Sequence, residues 1–214
     1  MPITVQTRRE RQKAELRSEL VAAAHARVKE EGYEGLTIRK LAKRVGYAPM
    51  SVYSYFADKQ EILVALAEDA FAQLAERAER NQPAEPLDAL RHGMREFAAF
   101  GRENPNEYRT IFMTPKAHDH DAETAAALEK SNPALLSMRN CVLACLEAGL
   151  LKGDEHAITT FLWTTVHGAI SAMVTFPQYS FGDHKHYAET VIELALTAVR
   201  TEGAGPLTAG AKPC

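Results

Sequence analysis

The chain has 214 residues, 46% of them apolar and 25% charged, the balance of an ordinary globular protein rather than of a disordered or fibrous one. Three cysteines are too few for a disulfide framework, no apolar run reaches the roughly 18 residues of a membrane span, and the N-terminus lacks the apolar core of a secretory signal, so a cytoplasmic location is expected. The net charge of −3 hides an asymmetry: residues 1–60 carry twelve Lys/Arg against seven Asp/Glu, the remainder 13 against 21, which suits a molecule with one end that meets a polyanion.

The predicted elements are helices throughout. Between Arg9 and Glu31 the apolar residues Leu16, Leu20, Ala23, Ala24 and Val28 recur at helical spacing, and Gly32 is placed as a C-cap. Thr37 then serves as the N-cap of a short helix from Ile38 to Val45, with Ile38, Leu41, Ala42 and Val45 inward, and Gly46 ends it. Pro49 suits the first position of another short helix, running to about Phe56. Asp58 caps a longer helix that reaches about Arg80, and the stretch from Asn81 to Pro86 is a turn-rich joint.

Beyond the joint, Leu87–Glu103 and Asn106–Met113 read as helices, each stopped by proline, and residues 116–122 as a polar loop. Pro133 opens a helix to about Leu150, Asp154 caps one to about Phe176, and Tyr187–Thr201 forms the last; residues 202–214 read as a disordered tail. The fold class is therefore all-α. A three-helix unit with a helix-turn-helix over residues 9–58 precedes a body of six or so helices over residues 59–201.

Two short helices joined by a tight glycine turn can place the second helix in the major groove of DNA. Gly46 supplies the turn, and Leu41, Ala42, Val45, Val52 and Phe56 can lock the angle between the helices. The runs Leu36-Thr37-Ile38-Arg39-Lys40-Leu41-Ala42, Val45-Gly46 and Val52-Tyr53-Ser54-Tyr55-Phe56, followed by Lys59 and Ile62-Leu63, resemble the DNA-binding domain of the tetracycline-repressor (TetR) family over roughly residues 12–65. Ala48-Pro49-Met50-Ser51 departs from the common pattern at positions expected to vary with the DNA sequence read. In the body, Trp163, His167 and Gly168 resemble the subgroup named for its Trp-His-Gly pattern.

The resemblance implies a ligand-responsive repressor that binds a pseudo-palindromic operator as a homodimer and is released by a small apolar or amphipathic effector. Thr37, Tyr53, Tyr55 and Lys59 are expected on DNA phosphates, and Ser51 on phosphate or base edge. Arg39 can fork onto a guanine, while Pro49 and Met50 lie against a thymine methyl. The basic arm of Arg8, Arg9, Arg11 and Lys13 can add phosphate or minor-groove contacts. The helix from Asp58 to Arg80, shared by both domains, is the natural lever between effector and DNA.

Effector-lining candidates are the Met, Cys and aromatic positions of the middle helices: Phe97, Phe100, Tyr108, Phe112, Met138, Cys141, Trp163 and His167. Gly168, Ala169 and Ala172, with the ridges Ile158, Leu162, Thr165, Val191, Leu194 and Ala198, have the composition of a dimer seam. Cys141 and Cys145 sit among apolar residues and read as inert core thiols. His118, Asp119, His120 and Asp121, and the pair His184 and His186, have metal-ligand chemistry without the spacing that builds a site, so neither a metal nor a cofactor is implied. Two other readings are a helical DNA-binding module without a sensor and a helical enzyme or carrier. No nucleophile–base, paired-carboxylate or phosphate-loop spacing supports the enzyme.

Overall fold

The computed structural model describes residues 5–114 and 131–201. The predicted polar loop, with His118 to Asp121, and the predicted tail lie outside them. Nine helices form among the described residues: α1 (Val5–Gly35), α2 (Ile38–Val45), α3 (Pro49–Tyr53), α4 (Lys59–Glu79), α5 (Pro86–Glu103), α6 (Pro105–Phe112), α7 (Pro133–Glu147), α8 (Glu155–Thr175) and α9 (His184–Val199). They divide into two compact units, one made of described residues within Met1–Asp69 and Asn104–Asp119, the other within Ala70–Glu103 and His120–Cys214. Thus α6, which the chain order assigns to the body, is part of the first unit.

In the first unit, α1 is interrupted at Gly32, whose φ of 68° is left-handed and whose position is the expected stop. Thr37 Oγ1 accepts the N–H of Lys40 and so caps α2. Gly46, at φ 75° and ψ 23°, closes α2 in the left-handed conformation, and the next N–H, of Tyr47, returns to Ala42 O at 3.0 Å. That glycine turn sets the direction of α3, which is shorter than expected: it ends at Tyr53, with Ser54 as its cap. At the start of α4, Asp58 Oδ1 accepts the N–H groups of Gln60 and Glu61, while Glu61 Oε2 accepts that of Ala57.

One apolar cluster holds these helices. Leu20, Ala24 and Val28 of α1, Leu41 and Ala42 of α2, Val52 and Phe56 around α3, and Ile62, Leu63 and Leu66 of α4 are all buried in it. Burying each large aliphatic side chain contributes roughly 1.5–3 kcal/mol, so this short-helix unit depends on the shared core more than on helix propensity. The guanidinium of Arg17 stacks over the Phe56 ring, 5.3 Å from its centre.

The second unit is built on α8. Ile158, Leu162, Val166, Ile170 and Met173 of α8 pack with Met94 and Phe100 of α5, Val142 and Cys145 of α7, and Ile192 and Leu196 of α9 in a buried core. Asp154 and Asp183 cap α8 and α9 through the N–H groups of Ala157 and His186. Arg91 and Arg95 of α5 pair with Glu193 and Glu189 of α9 at 2.6 and 2.8 Å, and Arg139 of α7 pairs with Glu155 of α8 at 2.9 Å. A short bridge between Leu151 and Arg200 ties the loop after α7 to the end of α9.

No membrane-length apolar run is expected from the sequence, but α8 meets that condition by length and composition, with a mean hydropathy of 1.3 over its most apolar window. Its threonines, serine, histidine and glycine interrupt the apolar run without lowering the mean far. Eight of its residues are buried against α5, α7 and α9 or their connections, which is the setting of a core helix.

Candidate nucleic-acid interface

The exposed face of α3 and the turn before it is unusually apolar for a surface. Met50 is 76% exposed and Tyr53 50%, with Tyr47 beside them in the turn. Pro49 is exposed and Ser51 half-buried. Val52, beside Tyr53 on the helix, takes the inward position, and Tyr53 faces outward. Tyr55 differs: it is half-buried, packs on the edge of the core, and lines an open cleft with Tyr47, Ser54 and the α1 residues Lys13 and Leu16.

The cations of α2 fall into two sets. Lys40 reaches Glu31 at 2.8 Å, and Arg44 makes a two-pronged contact with Glu30 at 2.8 and 2.9 Å, so both are turned back on α1. The carboxyls of Glu30 and Glu31 are held below their ordinary range chiefly by these bonds. Arg39 and Lys43, one turn apart on the same helix, are exposed and make no ion pair among the described residues. The two-helix motif therefore exposes both cations, on α2, and apolar side chains, Met50 and Tyr53, on α3, the combination that phosphate and base-edge contact requires.

Thr37 is exposed at the start of α2. Its oxygen is engaged as acceptor by the Lys40 N–H, which leaves its hydroxyl proton for an outside acceptor. Lys59 opens α4 with its ammonium 3.3 Å from the centre of the Tyr33 ring. Burial lowers its pKa, and the nearby Glu34 carboxylate offsets only part of that shift. Arg8, Arg11 and Lys13 of the basic arm are exposed along the start of α1.

The structure brings Arg39, Pro49, Met50, Ser51 and Tyr53 onto the turn and the two short helices, with Thr37 at the start of α2 and Lys59 opening α4. Four participants are not marked by the sequence. Lys43 is one of four cations in α2, and nothing local marks it as free. Glu30 and Glu31 neutralise their partners across 14 and 9 residues, and Tyr33 seats Lys59 across 26; such separations leave no periodic trace.

The effector-lining candidates separate. Tyr108 and Phe112 lie on α6 in the first unit, stacked on each other at 4.7 Å between ring centres, with Tyr108 0% exposed in that unit's interior. Phe97, Phe100, Met138, Cys141, Trp163 and His167 all lie in the second unit and differ in burial. Phe100 is buried, while Phe97, Met138 and Cys141 are half-buried. Trp163 is exposed and stacks on His167 at 5.6 Å, and Ser171 Oγ lies 3.3 Å from His167 Nε2. Burial lowers the pKa of His167 and raises those of both Cys141 and Cys145, the latter pushed up to about 11, which disfavours the reactive thiolate.

The seam candidates also separate. Ile158 and Leu162 are fully buried in the core of their own unit and are not available to a partner; they fall on the inward side of α8, which the spacing alone does not distinguish from the outward side. The outward faces instead carry Thr160, Trp163, Thr164 and Gly168 on α8, and Leu194, Thr197 and Ala198 on α9. Leu194 is 66% exposed, and a side chain built on Gly168 would meet open space. Neither outward face includes an Asp, Glu, Lys or Arg at these positions. Among the described residues no group of three His, Cys, Asp or Glu side chains gathers to hold a metal ion.

Comparison with known proteins supplies the context. Residues 20–66 match the family described as bacterial regulatory proteins, tetR family, and residues 87–199 match a tetracyclin repressor-like C-terminal domain. The HTH-type transcriptional repressor AcnR of Corynebacterium diphtheriae is 35% identical over 77 residues, a match that covers 36% of this chain and only 40% of that protein. AcnR of Corynebacterium glutamicum is 34% identical over 165 residues, covering 74% of this chain and 82% of that one. The transcriptional regulator FadR of Bacillus subtilis, solved in complex with stearoyl-CoA, superposes with a TM-score of 0.69 at 19% identity, covering 85% of this chain and 98% of that one.

Proposed function

Because the chain belongs to the TetR family of bacterial transcription regulators, we propose that it is a cytoplasmic, homodimeric repressor whose exposed α3 enters the major groove of a pseudo-palindromic operator. The observation that carries this reading is the exposed pair Met50 and Tyr53 on α3 together with Arg39 and Lys43 of α2, which are exposed and make no ion pair among the described residues. Arg39 is the candidate for a guanine contact, and Pro49 and Met50 for a thymine methyl. Thr37, Ser51, Tyr53, Tyr55, Lys59 and Lys43 position the motif on phosphates. Tyr55, being half-buried, reaches the backbone with its phenol tip only.

The dimer forms through the outward faces of α8 and α9. Leu194, Trp163 and the small residues Gly168 and Ala198 form a charge-free surface, and two such helix pairs brought together would form a four-helix seam. The effector is a small apolar or amphipathic molecule bound by the second unit, a reading supported by the family and by the acyl ligand of the related fold. Helix α4, continuous from Lys59 to Glu79, is the lever. An effector that favours a body conformation with misplaced recognition helices lowers DNA affinity by the factor by which DNA lowers effector affinity.

DNA fragments selected from a random pool by the full-length protein test all three parts. A symmetric site with half-sites about one helical turn apart, bound less tightly as salt rises, is expected. Adding acyl-CoA thioesters and small aromatics in turn should release the DNA with one of them. Binding to an asymmetric single half-site would remove the dimer, and indifference to every added compound would leave a DNA-binding module without a sensor.

A further inference from the structure

Lys59 is the first residue of α4, an end at which the helix dipole disfavours a cation. What holds it there is an aromatic ring. Tyr33, just beyond the Gly32 interruption of α1, is half-buried and packs against the apolar cluster of the first unit, and the Lys59 ammonium stands 3.3 Å from the centre of its ring. The carboxylate of Glu34 acts on the ammonium without forming an ion pair with it.

The cations of α2 are held in another way. Lys40 and Arg44 are turned onto Glu31 and Glu30, and each of those carboxylates cancels the charge that it orients. A ring face attracts an ammonium through its quadrupole and carries no net charge, so it orients the cation and leaves its charge in place. The ammonium also has three N–H donors, and contact with one ring face leaves donors for an outside acceptor. A lysine already held in place loses less rotamer freedom when it meets a phosphate than one that moves freely in water.

We propose that Tyr33 is a positioning residue for DNA binding, its ring holding the Lys59 ammonium at the start of α4 without neutralising it, ready for a backbone phosphate. The inference rests on the DNA reading above and adds a residue that acts through Lys59. The seat is rigid for a structural reason: the Tyr33 side chain is anchored by the same cluster that packs α2, α3 and α4, so the ring and the motif keep one geometry.

The test uses the full-length protein with Tyr33→Phe, with pentafluorophenylalanine in place of Tyr33, and with each of these combined with Lys59→Ala. Phenylalanine keeps the negative ring face, whereas the fluorinated ring keeps the shape and reverses the sign of the face, a change that a purely packing role would not register. Affinity for a mixed-sequence DNA duplex at low salt is expected to be nearly unchanged by Tyr33→Phe and about threefold weaker with the fluorinated ring. In the Lys59→Ala background the two rings are expected to bind DNA alike. A measurement without DNA checks the seat itself: the ε-methylene protons of Lys59 should be shifted upfield by the ring current, and the shift should vanish in Tyr33→Leu. Equal affinity for the two rings, a difference that persists without Lys59, tighter binding with the fluorinated ring, or an unshifted Lys59 resonance in the parent protein overturns the proposal. Failure of the parent protein to bind any duplex would remove the DNA reading itself, and this inference with it.

Discussion

The two units expose apolar side chains in comparable measure but in opposite electrostatic settings. The first unit exposes Tyr47, Met50 and Tyr53 and also the cations Arg39 and Lys43 of α2 and Arg8, Arg11 and Lys13 at the start of α1. On the second, Trp163 and Leu194 stand near exposed Thr160, Thr164, Gly168, Thr197 and Ala198, with no exposed Asp, Glu, Lys or Arg between Thr160 and Gly168 or between Leu194 and Ala198. Apolar exposure marks both as surfaces that meet something, and the surrounding charge selects what. A face with free cations suits a polyanion that carries methyl groups between its phosphates, whereas a charge-free face suits a copy of itself, where any charge would be buried opposite its own image.

That contrast can be broken most severely on the second unit. Leu194→Arg places two like charges in the proposed seam, and the dimer dissociation constant is expected to rise about a hundredfold or more by sedimentation equilibrium. An unchanged dimer would move the seam away from α9. Because Leu194 is exposed, the variant should keep the helical content of the parent.

On the first unit the largest effect is expected at Arg39. Arg39→Ala should cost about tenfold or more in affinity for the selected operator and relax the preference at one base pair in each half-site. Loss of affinity with no change in base preference would reassign Arg39 to the phosphates. Smaller effects are expected at the backbone contacts. Lys43→Ala, Lys59→Ala and Tyr53→Phe should each weaken binding a few-fold for all sequences alike. The lysine changes should also lower the slope of log affinity against log salt by about one each, as measured in a titration series.

The smallest and sharpest test acts on the acids that restrain α2. Glu31→Gln and Glu30→Gln release Lys40 and Arg44 from their pairs, and DNA affinity is expected to rise about two- to threefold at low salt. The gain should vanish at high salt. A loss of affinity would mean that these pairs place α2 correctly and that the partition of α2 into restrained and free cations is not the basis of its DNA face.

Most of the recognition motif is legible in the linear order because its geometry is local. Thr37, Gly46, Pro49 and Asp58 act on backbone groups within a few residues, so their positions announce helix starts and stops, and the structure places them at those ends. Tyr53 and Met50 are legible as exposed for a similar reason, since Val52 and Phe56 take the inward positions at helical spacing. The end of α3 is less so: Tyr55 and Phe56 continue the pattern, yet the backbone leaves the helix at Ser54 to bring Phe56 into the core.

What chain order alone determined is therefore the set of helices, the glycine-turned motif, and the basic head on an acidic body, all of which depend on neighbours within a turn or two. Tertiary structure decided which face of α8 is inside, which α2 cations are spent on Glu30 and Glu31, that α6 belongs with the first unit, and that Lys59 meets Tyr33 across 26 residues. The physical reason is that burial and ion pairing depend on through-space neighbours, and a helical period repeats on every face until packing chooses one.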